Sequence, residues 1–222
     1  MGEPGSFLFE AWAARFALLK GMAVTAELSI LVILIGAVIG TLGGLTLQYG
    51  PRPLRWVVRV YVDVLRGIPV LVLILFSYYG LALFKIGASP MASATLALSA
   101  FCGAHLSEVV RGAIGSIPVT QTEAGKAIGL GFWQRSRFII LPQAMRRVIP
   151  PAVNTAVEIV KASTLMSVIG IVELLLATQQ TIARNYLIIQ FYLLAALLYL
   201  IVNFAISQFG AMLERRFAYI RQ

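Results

Sequence analysis

The sequence predicts an all-α protein that crosses a membrane five times. Of its 222 residues, 59% are hydrophobic and 12% charged, against roughly 25% charged in an ordinary soluble domain, so a soluble monomer is excluded. The apolar residues fall in uncharged runs long enough for a hydrocarbon core of roughly 30 Å. They do not alternate residue by residue as the strands of a membrane barrel would. Most basic residues lie in alternate loops, as expected of a chain that weaves through a bilayer.

The first span is expected at 22–47, where Ser29 to Leu47 is uncharged and Met22 to Leu28 adds only Glu27. A second, at 68–84, opens with Pro69, which a first helical turn tolerates. The third is placed at 87–110, and the fourth at 152–176, interrupted by Glu158, Lys161 and Glu173. The fifth, 186–213, has 28 residues without a charge, about 42 Å as a helix. Residues 1–222 are read as a single membrane domain, with a cytoplasmic loop at 115–150.

Of the 18 Lys and Arg residues, thirteen, from Arg52 to Arg221, fall on one side of this arrangement. Arg15, Lys20, Lys85 and Arg184 fall on the other, and Lys161 lies within the fourth span. The positive-inside rule then puts the C-terminus in the cytoplasm and the N-terminus outside. The net charge of +9 is thereby a matter of topology. A nucleic-acid partner is not expected, because no soluble module remains to carry a basic groove. Gly36, Gly40 and Gly44 recur every fourth residue, a small-residue stripe that lets a second helix approach closely.

The 115–150 loop holds the chemistry-bearing pattern. Thr120 and Glu123 have the spacing of a capping box, so a short helix is expected from Gln121 to Gly129, the latter suited to a left-handed C-cap. A second short helix should carry Phe132, Trp133, Phe138, Ile139 and Leu141 beside Arg135 and Arg137, limited or kinked by Pro142. From the residues alone, two readings stay open: a rigid knob for mechanical coupling, or an amphipathic hairpin on the lipid headgroups.

Glu123-Ala124-Gly125, then Gly129, then Ile139, Leu141 and Pro142 at fixed spacing resemble the EAA loop of ATP-binding-cassette (ABC) importer permeases. The runs YVDVLRGIPVL (61–71), GAHLSEVVRGAI (103–114), LPQAMRRVIPP (141–151), NTAVEIVKASTL (154–165) and LERRF (213–217) resemble the polar amino-acid subfamily. The likeness covers roughly residues 20–217. It implies the type I importer transmembrane fold, with Glu123, Ala124, Gly125, Gly129, Leu141 and Pro142 in the loop that couples to the ATPase. Implied partners are a cytoplasmic ABC ATPase dimer, a second identical or related permease subunit, an external amino-acid-binding protein and the bilayer. Implied too is uptake of a polar amino acid across a bacterial inner membrane, with ATP and Mg bound by the ATPase and no cofactor on this chain. The sequence departs from the family pattern at Gly125, where a second alanine is usual, at Ala162, where an acid is common, and at His105, where a tyrosine is frequent.

Charged residues near the bilayer suggest two kinds of role. Asn154, Glu158 and Lys161 share a helical face, either because Glu158 and Lys161 pair or because the three line the solute path with His105. Asp63 with Arg66, and Glu108 with Arg111, are expected structural ion pairs at three-residue spacing. One histidine and one cysteine make a metal site unexpected. The only Gly-Lys pair, Gly125-Lys126, has Thr120 where a P-loop needs its first glycine, so the chain is not expected to be an enzyme. The alternative function is an ATP-independent channel or secondary carrier running along Glu158, His105 and Lys161.

Overall fold

The computed structural model describes residues 5–218, and all of their regular structure is helical. Arg221, counted above among the basic residues, lies outside the described residues. The elements are α1 (Phe7–Tyr49), α2 (Arg52–Gly67), α3 (Val70–Leu83), α4 (Pro90–Gly115), α5 (Val119–Ala127) and α6 (Phe132–Arg135). A π-helical turn (Ser136–Ile140) follows, then α7 (Leu141–Ala162), a 3-10 segment (Ser163–Ile169), α8 (Leu174–Asn185) and α9 (Ile188–Ala218). Among the described residues, four helical stretches are long and apolar enough to cross a membrane, and the pair α2–α3, taken as one broken span, makes five.

Several helix limits differ from those expected. The first helix starts at Phe7 rather than Met22, because Glu10, Arg15 and Lys20 interrupt an apolar count without interrupting a helix. The segment taken as the second span is α3, whose 14 residues reach only about 21 Å. Extended backbone at Ile68 and Pro69 separates it from α2, a helix in what was read as loop. Nor is the fourth span one helix to Leu176. The α-helix runs on through Pro150 and Pro151 and gives way to the 3-10 segment after Ala162, and Gly170 ends that segment at φ 82°.

The chain forms two compact units. The first comprises Met1–Ile33, Pro69–Leu98 and Val157–Ala205. Its core gathers Leu18, Leu174, Ala177 and Phe191, with Phe7 edge-on to Phe191 at 5.6 Å. Glu173, wholly buried, accepts hydrogen bonds from the Leu175 and Leu176 backbone N–H groups at 2.9 and 2.8 Å and from the Tyr199 hydroxyl at 2.6 Å. Thr25 Oγ1 accepts from Leu174 N–H at 3.2 Å. A carboxylate at the N-cap of α8 satisfies donors that a helix start leaves open and meets the positive end of its dipole. Expected as a charge within a span, Glu173 instead begins a new helix.

The second unit comprises Leu34–Ile68, Ser99–Ala156 and Ile206–Gln222. Here the glycine stripe brings α1 onto α4. A Cβ at Gly36 would lie 2.5 Å from Cys102 Sγ, one at Gly40 would collide with Leu106 Cβ, and one at Gly44 would lie 2.5 Å from Val110 Cβ. The contacts step by four residues on both helices in the same direction, so α1 and α4 run parallel in this unit. Val62 and Leu47 close a cluster around Ala104, and the Tyr61 hydroxyl donates to the Ala100 carbonyl at 2.7 Å.

Candidate functional site

The segment from Val119 to Leu141 is built to be rigid. Its first helix begins two residues before the expected Gln121, with Pro118 at the N-cap and no side-chain cap. The Thr120/Glu123 box is therefore not formed. Proline supplies the extended entry itself, and both residues sit inside the helix with Glu123 exposed. The end is as expected. Gly129 has φ 80°, Leu130 N–H bonds the Gly125 carbonyl at 3.0 Å, and Gly129 N–H bonds the Lys126 carbonyl at 2.9 Å. This is a Schellman stop, in which a left-handed glycine satisfies the last carbonyls.

Gly125 is buried, and a Cβ there would lie 2.8 Å from Ile139 Cδ1 and 3.0 Å from Arg135 Cγ and Cδ. The missing methyl therefore lets α5 seat on α6 and the π turn, with Glu123 and Ala124 facing outward. Arg135 donates to the Leu130 carbonyl, and Gln134 Oε1 accepts from Gly131 N–H at 2.8 Å. Pro142 does not limit the second helix. The chain stays helical through it because the π turn ends two residues earlier, at Ile140, and Pro142 falls in the first turn of α7. Val119, Ile128, Trp133, Phe138 and Leu141 remain exposed.

Beside this knob an apolar groove of about 360 Å³ is walled by Leu45, Ile114, Ile140 and Ala144 and edged by Tyr49, Trp133 and Arg137. A second, polar cleft of about 440 Å³ in the same unit is lined by Arg66, His105, Glu108, Arg147 and Thr155 among others. Glu108 anchors its edge. It accepts from Arg111 Nε at 2.8 Å and from Arg59. Asp63 lies 3.8 Å from Arg59 rather than pairing with Arg66, whose side chain lines the cleft instead. His105 Nδ1 is 3.1 Å from the Phe101 carbonyl, and its ring lies 4.2 Å from that of Phe101.

Residues 17–219 match the family described as the binding-protein-dependent transport system inner membrane component. The chain belongs to this family. The glutamine transport system permease protein GlnP of Escherichia coli K12 is 35% identical over 92% of this chain and 94% of its own. The L-cystine transport system permease protein TcyB of Bacillus subtilis 168 is 38% identical over 88% of this chain and 84% of its own. Among solved structures, an amino acid ABC transporter with histidines superposes with a TM-score of 0.88 at 26% identity, covering 97% of this chain and all of that one. A chain of the methionine ABC transporter MetNI shares the fold alone, with a TM-score of 0.76 at 21% identity.

The permease is thus a multi-pass inner-membrane component of a transport system that depends on a binding protein. Its α7 exposes Asn154, Glu158 and Lys161. Among the described residues no ion pair joins Glu158 to Lys161, which corrects the expected pairing. Both side chains are exposed on the surface of α7. What the sequence did not single out is Arg59, the second cation on Glu108. Its signal was present in the Arg59/Asp63 spacing of four, which puts both on one face of α2.

Proposed function

We propose that this permease is the membrane subunit of an ATP-driven importer of a polar amino acid, and that α5 transmits the closure of a separate ATPase. The observation that carries the reading is the knob. A helix stopped by Gly129 and seated through Gly125 holds Glu123 and Ala124 outward on a support that resists bending. A flexible loop would dissipate a push, whereas this one delivers it to Leu141, Pro142 and so to α7. The likeness to amino-acid permeases over nine-tenths of the chain supports the substrate class.

His105 and the polar cleft, with Asn154, Glu158 and Lys161 on α7, are proposed to line the solute path. Exposed charges on a spanning helix are costly against lipid, so a second permease subunit or a watery path covers them. The distribution of basic residues supports a chain with its N-terminus outside and its C-terminus in the cytoplasm, and parallel α1 and α4 fit one further crossing between them. ATP and Mg belong to the ATPase partner, and this chain carries no cofactor.

The test is to purify the complex through a tag on the permease and measure ATP hydrolysis stimulated by the binding protein. A stoichiometric ATPase should co-purify, and Glu123→Ala should lower stimulated hydrolysis without lowering the amount of permease in the membrane. A permease that purifies folded and alone would overturn the coupling role.

A further inference from the structure

We propose that the apolar groove beside the π turn holds an acyl chain of one anionic phospholipid, with the headgroup phosphate on Arg137. The inference rests on the membrane orientation proposed above. The groove's volume of about 360 Å³ lies within the roughly 300–1,000 Å³ of small-molecule sites. Its walls are hydrocarbon: Leu45 from α1, Ile114 from α4, Ile140 and Ala144 from the π turn and α7. Such walls offer nothing to a free phosphate or an amino acid, and everything to a fatty chain.

The rim supplies the other half of the ligand. Tyr49 and Trp133 are the residue types that sit at headgroup level, and Ser136 adds a hydroxyl. Arg137 has no carboxylate within 4 Å among the described residues. Its neighbours are committed elsewhere: Arg135 to the Leu130 carbonyl, Arg147 to the Ser116 carbonyl at 2.5 Å and the Ser116 hydroxyl at 2.7 Å. Between residues 115 and 150 the single acid, Glu123, faces five basic residues. One arginine beside two interfacial aromatic residues at the rim of an apolar groove, on the cytoplasmic side of a bundle, is an arrangement that suits an anionic headgroup.

The test uses the whole transporter complex in nanodiscs holding phosphatidylglycerol and phosphatidylcholine in equal amounts. In one preparation the phosphatidylglycerol carries an acyl-chain diazirine, in the other the phosphatidylcholine does, and adducts on residues 132–144 are mapped by peptide mass spectrometry after irradiation. Labelling from phosphatidylglycerol should exceed that from phosphatidylcholine by about fivefold. Arg137→Gln should bring the ratio close to one, and Leu45→Trp, which fills the groove, should suppress both. Equal labelling in the wild type overturns the proposal, as does an unlabelled groove, which would mean that a protein partner covers it. ATP hydrolysis in the same sample separates the two readings. Lost coupling with the lipid preference intact would sink the importer assignment, whereas intact coupling with no preference would sink this one.

Discussion

A single carbon added at Gly40 should open the seam between α1 and α4. The new Cβ would collide with Leu106 Cβ and lie 3.1 and 3.2 Å from Leu106 C and Cα. Two of those atoms are backbone, so no rotamer change relieves the clash and one helix has to move. Overpacking of this kind costs about 1–3 kcal/mol, or about 2–12 °C in a chain of this size. Gly112→Ala is the matched control on α4, since nothing lies within 4 Å of its Cβ position. There the helix-propensity gain of up to about 1 kcal/mol should leave the midpoint unchanged or slightly raised. Cys102, the single cysteine, is buried one turn before Leu106, so a thiol-reactive dye reports the seam directly during thermal unfolding. Equal dye-onset temperatures for Gly40→Ala and Gly112→Ala would refute the close-packed seam.

Three further substitutions probe other elements. Glu173→Ala strips the acceptor from two backbone N–H groups and the Tyr199 hydroxyl, which should cost about 2–4 kcal/mol in thermal unfolding, with Glu173→Gln losing clearly less. Glu108→Ala leaves Arg59 and Arg111 without their shared carboxylate. Both guanidinium side chains are more than a third exposed, so the loss should be about 1–2 kcal/mol and should shrink in concentrated salt. Gly129→Ala forces a side chain into φ 80° at about 1–2 kcal/mol, and limited proteolysis should cut residues 119–131 faster than in Gly67→Ala, where the added Cβ meets nothing.

The bundle was legible in the sequence where a residue type has one physical use. The glycine stripe and Gly129 as a helix stop sit as their chemistry requires, whereas the uncharged runs fold as helix but the second, α3, is too short to span alone. Local rules with competitors misled. The Thr120/Glu123 box lost to Pro118, which fixes the entry of α5 by its own ring. Counting charges missed the first turns of α1, since Arg15 can rest over Trp12 and Phe16, at 4.1 and 4.3 Å from their ring centres, without leaving the helix. Ion pairs were the least legible part, because a charged residue on a helix has partners at both three and four residues and across to the next helix. Asp63 took Arg59, Glu108 took two arginines, and Glu158 took none of the described residues. Glu173 looked like a charge within a span because nothing local announces a helix that starts after a 3-10 segment and a left-handed glycine.

In the function proposed here, a cytoplasmic ATPase drives solute movement through this chain by pressing on α5. The most direct measurement is uptake of labelled polar amino acids into proteoliposomes holding the complete complex, with binding protein outside and ATP enclosed. Accumulation should require the enclosed ATP and fall to background in Glu123→Ala, while that variant still assembles with the ATPase. Uptake that proceeds equally without ATP, or that is unchanged in Glu123→Ala, would contradict the claim.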